Sequence, residues 1–381
     1  MEIVYLDNNA TTRLAPEVVR LMLPYLTENY GNPSSIHRLG QQARQAIDEA
    51  RSKVAALLGC ADTDVAFMGG GTEAGNTAIR GLLAARAPRK QIITSTVEHS
   101  ATRELCQQLG KEQFDIVAVS VDQQGHLDLD QFQSALNEQT ALVSIMWANN
   151  ETGVIFPIEK IAELCRSKKV PLHCDATQVV GKIGISFRDG LIDVLTCAPH
   201  KFHGPKGIGI MAVKRGVRFR PMVIGGPQER NRRGGTENVA GIVGTGAAAE
   251  LAVAHLPEMS RVAAQRDRLE MQILDRIDQT FVNGDPSTRV PNTTNIGFAR
   301  LEAEAILLLL SEQGICASAG AACASGSLEP SPILQAMHID PKIAHGAIRF
   351  SLSRYTTDTE IDRALQLLPP VISRLRQVLP V

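Results

Sequence analysis

Between about residues 65 and 213, short apolar runs alternate with helical patterns, and this alternation constrains the chain more than any other feature. The runs are VAFM (65–68), QIITSTV (91–97), FDIVAVSV (114–121), ALVSIMW (141–147), VPLHC (170–174), IDVLTC (192–197) and IGIMAV (208–213). Several are separated by segments of helical period, TEAGNTAIRGLLAAR and FPIEKIAELCRSKK among them. Such alternation predicts an α/β fold, a mostly parallel seven-stranded sheet covered by helices. An amphipathic stretch rich in Arg, Glu, Leu and Ala, near 245–280, predicts one long helix leading to a second unit. That unit holds NTTNIGF, the helical EAEAILLLLSEQG and IRFSLSRYTTDTEIDRALQLL, and reads as a smaller α+β domain. The first dozen residues are expected at the edge of one of the two. The division is then a large domain over 14–255 and a small one made of 1–13 and 256–381.

A formal net charge of -1 gives no global field for nucleic acid or an anionic membrane. No apolar run approaches the roughly 20 residues of a membrane helix. The opening MEIVYLDNNATT lacks a basic segment followed by an apolar one, so no secretory signal is expected and the cytoplasm is the expected compartment. The 7 cysteines (Cys60, Cys106, Cys165, Cys174, Cys197, Cys316 and Cys323) are odd in number and scattered, which predicts free thiols in a reducing compartment. There is no CxxC, and HKFH (200–203) offers one weak histidine pair, so no intrinsic metal site is expected.

Ligands of an open parallel sheet bind beyond the carboxyl ends of its strands. VAFM is followed by GGGTE, QIITSTV by Glu98 and His99, ALVSIMW by Ala148, Asn149, Asn150 and Glu151. VPLHC is followed by Asp175, Ala176, Thr177 and Gln178, and IDVLTC by Ala198, Pro199, His200 and Lys201. GGGTEAGNTAIRG fits neither GxGxxG with a distant acid nor GxxxxGK[ST]. It is a phosphate cradle at a helix start, with Gly71 and Thr72, or a plain glycine turn with Thr72 as N-cap. Lys201 is an amine able to attack a carbonyl or a solvated surface lysine, with Lys206 as its rival. Asp175 either pairs with a cationic ring nitrogen or caps a helix. His99 either stacks on a ring and moves protons or packs inertly. A phosphate cradle, a reactive lysine and an aspartate together are what pyridoxal phosphate needs. In ASAGAACASGSLEPS (317–331), Cys323 stands among residues too small to pack, as an accident of a loop or as a reactive thiol. Cys316 follows a helix and reads as a structural strand thiol.

LDNNATT (6–12), GNPSSIHRLG (31–40), GGTEAGNTAI (70–79), VEH (97–99), NNETG (149–153), HCDATQVVGK (173–182), HKFHGPKG (200–207), RRGGTEN (232–238), ASAGAACASGSLEPS and IRFSLSRYTT (348–357) resemble the cysteine desulfurases. The closest likeness is to the NifS branch, which is similar to the housekeeping IscS branch. The resemblance spans nearly the whole chain. It implies a fold-type I pyridoxal-phosphate transferase that works as a homodimer. Such an enzyme converts L-cysteine to L-alanine and passes persulfide sulfur to a scaffold protein for iron–sulfur clusters, those of nitrogenase included.

By motif, the resemblance implies Lys201 as the Schiff-base lysine, Asp175 as partner of the pyridine nitrogen and Gln178 as contact to the ring's phenolic oxygen. His99 would stack on the ring and carry protons. Asn150 would touch the cofactor, and Gly71, Thr72 and His200 would bind its phosphate. Thr236 would reach the phosphate of the partner subunit, and Arg349, helped by Asn32, would clamp the substrate carboxylate. Cys323 would take the sulfur, and no metal is implied beyond a transient sharing of a cluster through that thiol. Two departures stand out. Many relatives carry Ser where this chain has Ala198, and Gly where it has Pro199, so one phosphate contact is missing. The sequence ends at RQVLPV, where some relatives continue into a docking tail. An aminotransferase or a selenocysteine lyase would not depend on Cys323, and a sulfur carrier without turnover would not hold the cofactor.

Overall fold

The computed structural model describes residues 3–188, 191–319 and 329–378. After a short first strand, β1 (Val4–Tyr5), come β2 (Val65–Met68), β3 (Gln91–Ser95), β4 (Asp115–Val119), β5 (Thr140–Met146), β6 (Leu172–Asp175), β7 (Val194–Cys197) and β8 (Gly209–Val213). These seven form one sheet in the order β2-β8-β7-β6-β5-β3-β4. Only β8 runs against the rest, antiparallel to both β2 and β7. Strands β2, β5, β7 and β8 are buried along their whole length. That burial on both faces is why they read as continuous apolar runs and not as alternating ones.

Helices cover both faces. One side packs Arg38–Leu58, Ile158–Ser167 and Val239–Ala254 into a large apolar core. The other seats Gly71–Ala84 and Ser100–Lys111 through Ala74, Ile79, Leu82 and Leu105. A third core joins Val4 and Leu6 to Leu269, Phe298, Ile306 and Leu368. Around it, β10 (Thr293–Phe298) lies between β9 (Thr280–Val282) and β12 (Ala347–Ser351) in an antiparallel sheet. Strand β11 (Ile315–Cys316) pairs in parallel with β1. The N-terminal residues therefore join this smaller sheet system, and Asn8 and Asn9 then run on between the two sets of elements.

The single long helix expected near 245–280 is two helices. Val239–Ala254 and Met259–Arg276 are separated by a 3₁₀ turn, Leu256–Glu258, and the pair is bent by 57°. Pro257 is the reason, because it lacks an N–H and its ring clashes with the preceding turn. The halves also differ in character. The first is buried nearly all round and packs small residues closely; a Cβ on Gly246 would sit 2.6 Å from Ala50 Cα. The second is amphipathic, burying Val262, Leu269 and Ile273. No single helix among the described residues is long and apolar enough to cross a membrane.

One segment is held in an unusual shape. Glu229, Arg230 and Asn231 all have left-handed backbone, with φ of 47°, 56° and 63°. Each such non-glycine residue costs on the order of 1–3 kcal/mol. The Glu229 carboxylate offsets this by accepting both Arg51 guanidinium nitrogens, at 2.7 and 2.9 Å, and the Phe67 N–H at 2.9 Å. The clamp fixes the root of the loop that carries Thr236.

Candidate active site

The carboxyl ends of β2, β3, β5, β6 and β7 open into a cavity of about 610 Å³. A second depression of about 510 Å³ lies along the outside of Arg38–Leu58 and lacks such convergence. At the end of β2, Gly70 turns the chain into helix Gly71–Ala84 and caps it with no side chain. Thr72 is therefore not the N-cap: it lies inside the first turn, at the cavity wall. A Cβ on Gly71 would come within 3.2 Å of Ala198 Cβ, so the helix start presses against the end of β7. Gly209 is required for a related reason, since a Cβ there would meet the Gly70 carbonyl oxygen at 2.1 Å. Glu73 is drawn to Arg233 at 2.9 Å, which neutralises the one acid in the helix's first turn.

Lys201 ends the 3₁₀ turn Pro199–Lys201 that follows β7. Its Nζ donates to the carbonyls of Asn9 at 2.6 Å and Ala10 at 2.8 Å. Lys206 is exposed and does not line the cavity, so geometry separates the two lysines. His200 Nδ1 lies 3.1 Å from Thr11 Oγ1. Burial, with Lys201, Lys206 and His99 nearby, pushes His200 down to about 4, so it is neutral at physiological pH. Asp175 closes β6 and lines the cavity, and its Oδ1 accepts the Thr177 N–H at 3.0 Å, which caps a turn rather than the helix expected as its alternative role. Gln178 follows one turn later, also at the wall.

His99 caps helix Ser100–Lys111, its Nδ1 accepting the Ala101 N–H at 3.2 Å. In the neutral ring the proton then sits on Nε2. Burial lowers its pKa most; Asp175 opposes this, while Lys201, Arg103 and Arg349 reinforce it. With Nδ1 committed to that cap, the remaining ring nitrogen of this tautomer is a donor, not an acceptor.

Arg349, on β12, is almost fully buried at the cavity wall. Nη2 donates to Asp7 Oδ1 at 2.7 Å and Nη1 to the Asn150 carbonyl at 3.0 Å. Asn149 shapes that turn by accepting the N–H groups of Glu151 and Thr152. Asn150 lines the cavity, and its Oδ1 is buried without a hydrogen-bond partner among the described residues. Glu151 accepts the Ser331 hydroxyl at 2.5 Å, and burial raises its pKa to about 7. Asn32 and Thr236 are exposed and lie outside the cavity of their own chain. Cys323 lies outside the described residues. Cys316 sits on β11, half-buried. The other five described cysteines are buried, and burial pushes Cys60, Cys106 and Cys165 to about 12. None of these can offer a thiolate near neutral pH.

Asp7, Asn9 and Lys182 were not singled out by sequence, although LDNNATT and HCDATQVVGK contain them. Glu98 stood out only as a strand-end residue. It is fully buried at the cavity floor, accepting from Ser95 Oγ at 2.7 Å and Met146 N–H at 3.0 Å. Burial raises it to about 8 from an ordinary 4.5, so the folded protein holds a proton that the unfolded chain has released. Its contribution to stability therefore declines as pH rises from about 4.5 to about 8. Glu98→Gln keeps both accepted bonds through its amide oxygen and cannot ionise. We expect its melting temperature to exceed that of the wild type by on the order of a few degrees at pH 8.5, with a smaller or reversed difference at pH 5.5, read by thermal unfolding at both values.

The sequence matches the family described as aminotransferase class-V over residues 4–364. Cysteine desulfurase 2 of Trichormus variabilis (strain ATCC 29413 / PCC 7937) is 53% identical over 380 residues, spanning 100% of this chain and 96% of that protein. Cysteine desulfurase NifS of Azotobacter vinelandii is 50% identical over 379 residues, spanning 99% of this chain and 94% of its own. Among solved structures, a NifS-like protein superimposes with a TM-score of 0.92 at 36% identity, covering 98% of this chain and 100% of the other. SspA in complex with cysteine superimposes with a TM-score of 0.82 at 32% identity, covering 93% and 99%.

Proposed function

We infer that this chain, which belongs to the class-V aminotransferase family and is a cysteine desulfurase, works with pyridoxal phosphate in the cavity at the sheet edge and with Cys323 as its sulfur acceptor. The observation that carries the site assignment is convergence. Five strand ends bring the amine of Lys201, the carboxylate of Asp175, the amide of Gln178, the imidazoles of His99 and His200, and a helix start without a side-chain cap to the same cavity. The cavity residues fit the cofactor. The close approach at Gly71 and the removal of Glu73 by Arg233 leave the N–H groups of the helix start as a cradle suited to an anion, while the unpartnered Asn150 Oδ1 is an acceptor left for a donor on the ligand.

In this assignment Gly71, Thr72 and His200 would hold the phosphate, Asp175 would pair with the ring nitrogen, Gln178 would donate to the phenolic oxygen, and His99 would contact the ring. Asn150 would add a polar contact, and Lys201 would hold the cofactor covalently. When bound, the cofactor supplies an electron sink for the charge left at the substrate's α-carbon. Arg349, fixed by Asp7 and the Asn150 carbonyl, orients the carboxylate of L-cysteine. Lys201 Nζ would be the base that takes the substrate's α-proton. The Cys323 thiolate attacks the substrate sulfur. The S–S bond forms as the C–S bond breaks, and the electron pair stays with the substrate's β-carbon, which is then protonated. His99 Nε2 carries a proton within the site. L-Cysteine and one thiol thus become L-alanine and one persulfide, with no other oxidant or reductant.

The missing hydroxyl at Ala198, beside Gly71, weakens cofactor retention without removing it. The small unit, 1–13 with 256–381, is assigned the thiol-bearing segment, and 14–255 the cofactor. A homodimer is supported by the exposure of Leu26, Tyr30, Ile36 and Ile224, and by Thr236 being exposed and outside its own cavity. Ser34 and Pro227 line one depression, which places the two exposed segments side by side. The acceptor for the sulfur is a scaffold protein for iron–sulfur clusters. The test is to load the full chain with pyridoxal phosphate, reduce with borohydride and map the peptides. Label on Lys201 is expected. Label on Lys206, or a protein that retains no cofactor, overturns the assignment.

A further inference from the structure

We propose that Lys182 is a positioning residue for this reaction, fixing the Gln178 amide and the Asn9 backbone that receives Lys201. The inference rests on the site assigned above. Lys182 is buried on the far side of Gln178. Its Nζ donates to Gln178 Oε1 at 2.7 Å and to Asn9 Oδ1 at 3.0 Å. Gln178 Nε2 donates in turn to the Asn9 carbonyl at 3.2 Å, the same oxygen that accepts Lys201 Nζ.

The chemistry of the amide makes the order of these bonds matter. Gln178 Oε1 is taken by Lys182, and one Nε2 hydrogen by Asn9. The second Nε2 hydrogen is left for the cavity, whose wall Gln178 forms. A flipped amide would set its N–H groups against those of Lys182, donor against donor. Asn9 is equally committed. Its Nδ2 donates to Thr293 Oγ1 at 2.8 Å and to the Asn150 carbonyl at 3.2 Å, and its Oδ1 also accepts from Asn292 at 3.0 Å. Lys182 thus ties the sheet edge, the N-terminal segment and β10 around the reactive amine.

The charged and titratable groups facing Lys182 are Lys201, Arg349 on β12, and His203, His255 and Arg354, which border a small cavity of about 30 Å³ beside it. Burial, then Lys201 and Arg349, lower its pKa well below the ordinary lysine value. The arrangement does not depend on charge, because a neutral amine still has the two N–H groups that the two acceptors use.

The test is a double-mutant cycle on the full chain loaded with pyridoxal phosphate, reading the pH midpoint of the bound cofactor's visible band and the rate of cofactor loss. Lys182→Met is expected to move the midpoint by about one pH unit, in the direction that Gln178→Ala moves it. The double variant should match a single one, because both remove the same oriented donor. Lys182→Gln, which keeps a shorter donor, should fall between and serves if Lys182→Met does not fold. Additive shifts, or a lower melting temperature with an unmoved titration, overturn the proposal and leave the wild-type site assignment standing. A wild type without a visible band overturns both.

Discussion

Lys201→Ala is expected to lower the rate of alanine formation from L-cysteine by on the order of 10³–10⁴-fold or more, the range for loss of a positioned acid–base group that also holds the reactive centre. Lys201 is the one lysine lining the cavity among the described residues. Its amine is held by two backbone carbonyls, so its position is set by the N-terminal segment rather than by a flexible partner. Lys201→Arg is expected to fail nearly as completely, because a guanidinium keeps the charge but does not deprotonate. Lys206→Ala is the control. That residue is exposed and off the cavity, and its loss should change the rate by no more than about twofold. Comparable losses at both positions would break the assignment of the amine.

The second large effect is expected at Cys323. Cys323→Ala should still take up L-cysteine and perturb the cofactor's spectrum, since Arg349, Asp175 and Lys201 are untouched. Alanine formation should fall by on the order of 10³-fold, because the sulfur has no thiolate to move to. The rest of the protein offers little rescue. Cys60, Cys106, Cys165, Cys174 and Cys197 are buried with raised pKa values. Cys316 is half-buried in the pairing of β1 with β11. Cys316→Ala should therefore keep its alanine-forming activity. If Cys316→Ala lost activity and Cys323→Ala kept it, the two thiols would have to exchange roles.

The sheet was legible because most of its strands are buried on both faces, the edge strand β4 excepted, so apolar runs marked them directly, and the polar residues after them marked the cavity. Lys201, Asp175, Gln178 and His99 all fell out of that one rule. The long helix near 245–280 was misread because an apolar helix and an amphipathic one abut there, and composition averaged over Pro257. Thr72 was weighed as a cap because threonine often caps, whereas the chain already turns at Gly70. Asn9 gave no local signal at all. Its partner Thr293 is 284 residues away, and no period or spacing reports a contact of that span. Lys182 was hidden for a different reason: a lysine at the end of a motif reads as a solvated charge, and only packing shows that it is buried between an amide and Asn9. Asp7 was hidden in the same way, as an ion pair to Arg349 formed only when β12 lies beside the N-terminal segment.

The most direct test of the central claim is a single turnover of the cofactor-loaded wild type with L-cysteine, with alanine counted and the protein's sulfur located by peptide mass. One alanine is expected for each persulfide, and the persulfide is expected on Cys323. Alanine formed at the same rate by Cys323→Ser, or with the sulfur released as free sulfide and none on Cys323, would contradict the account.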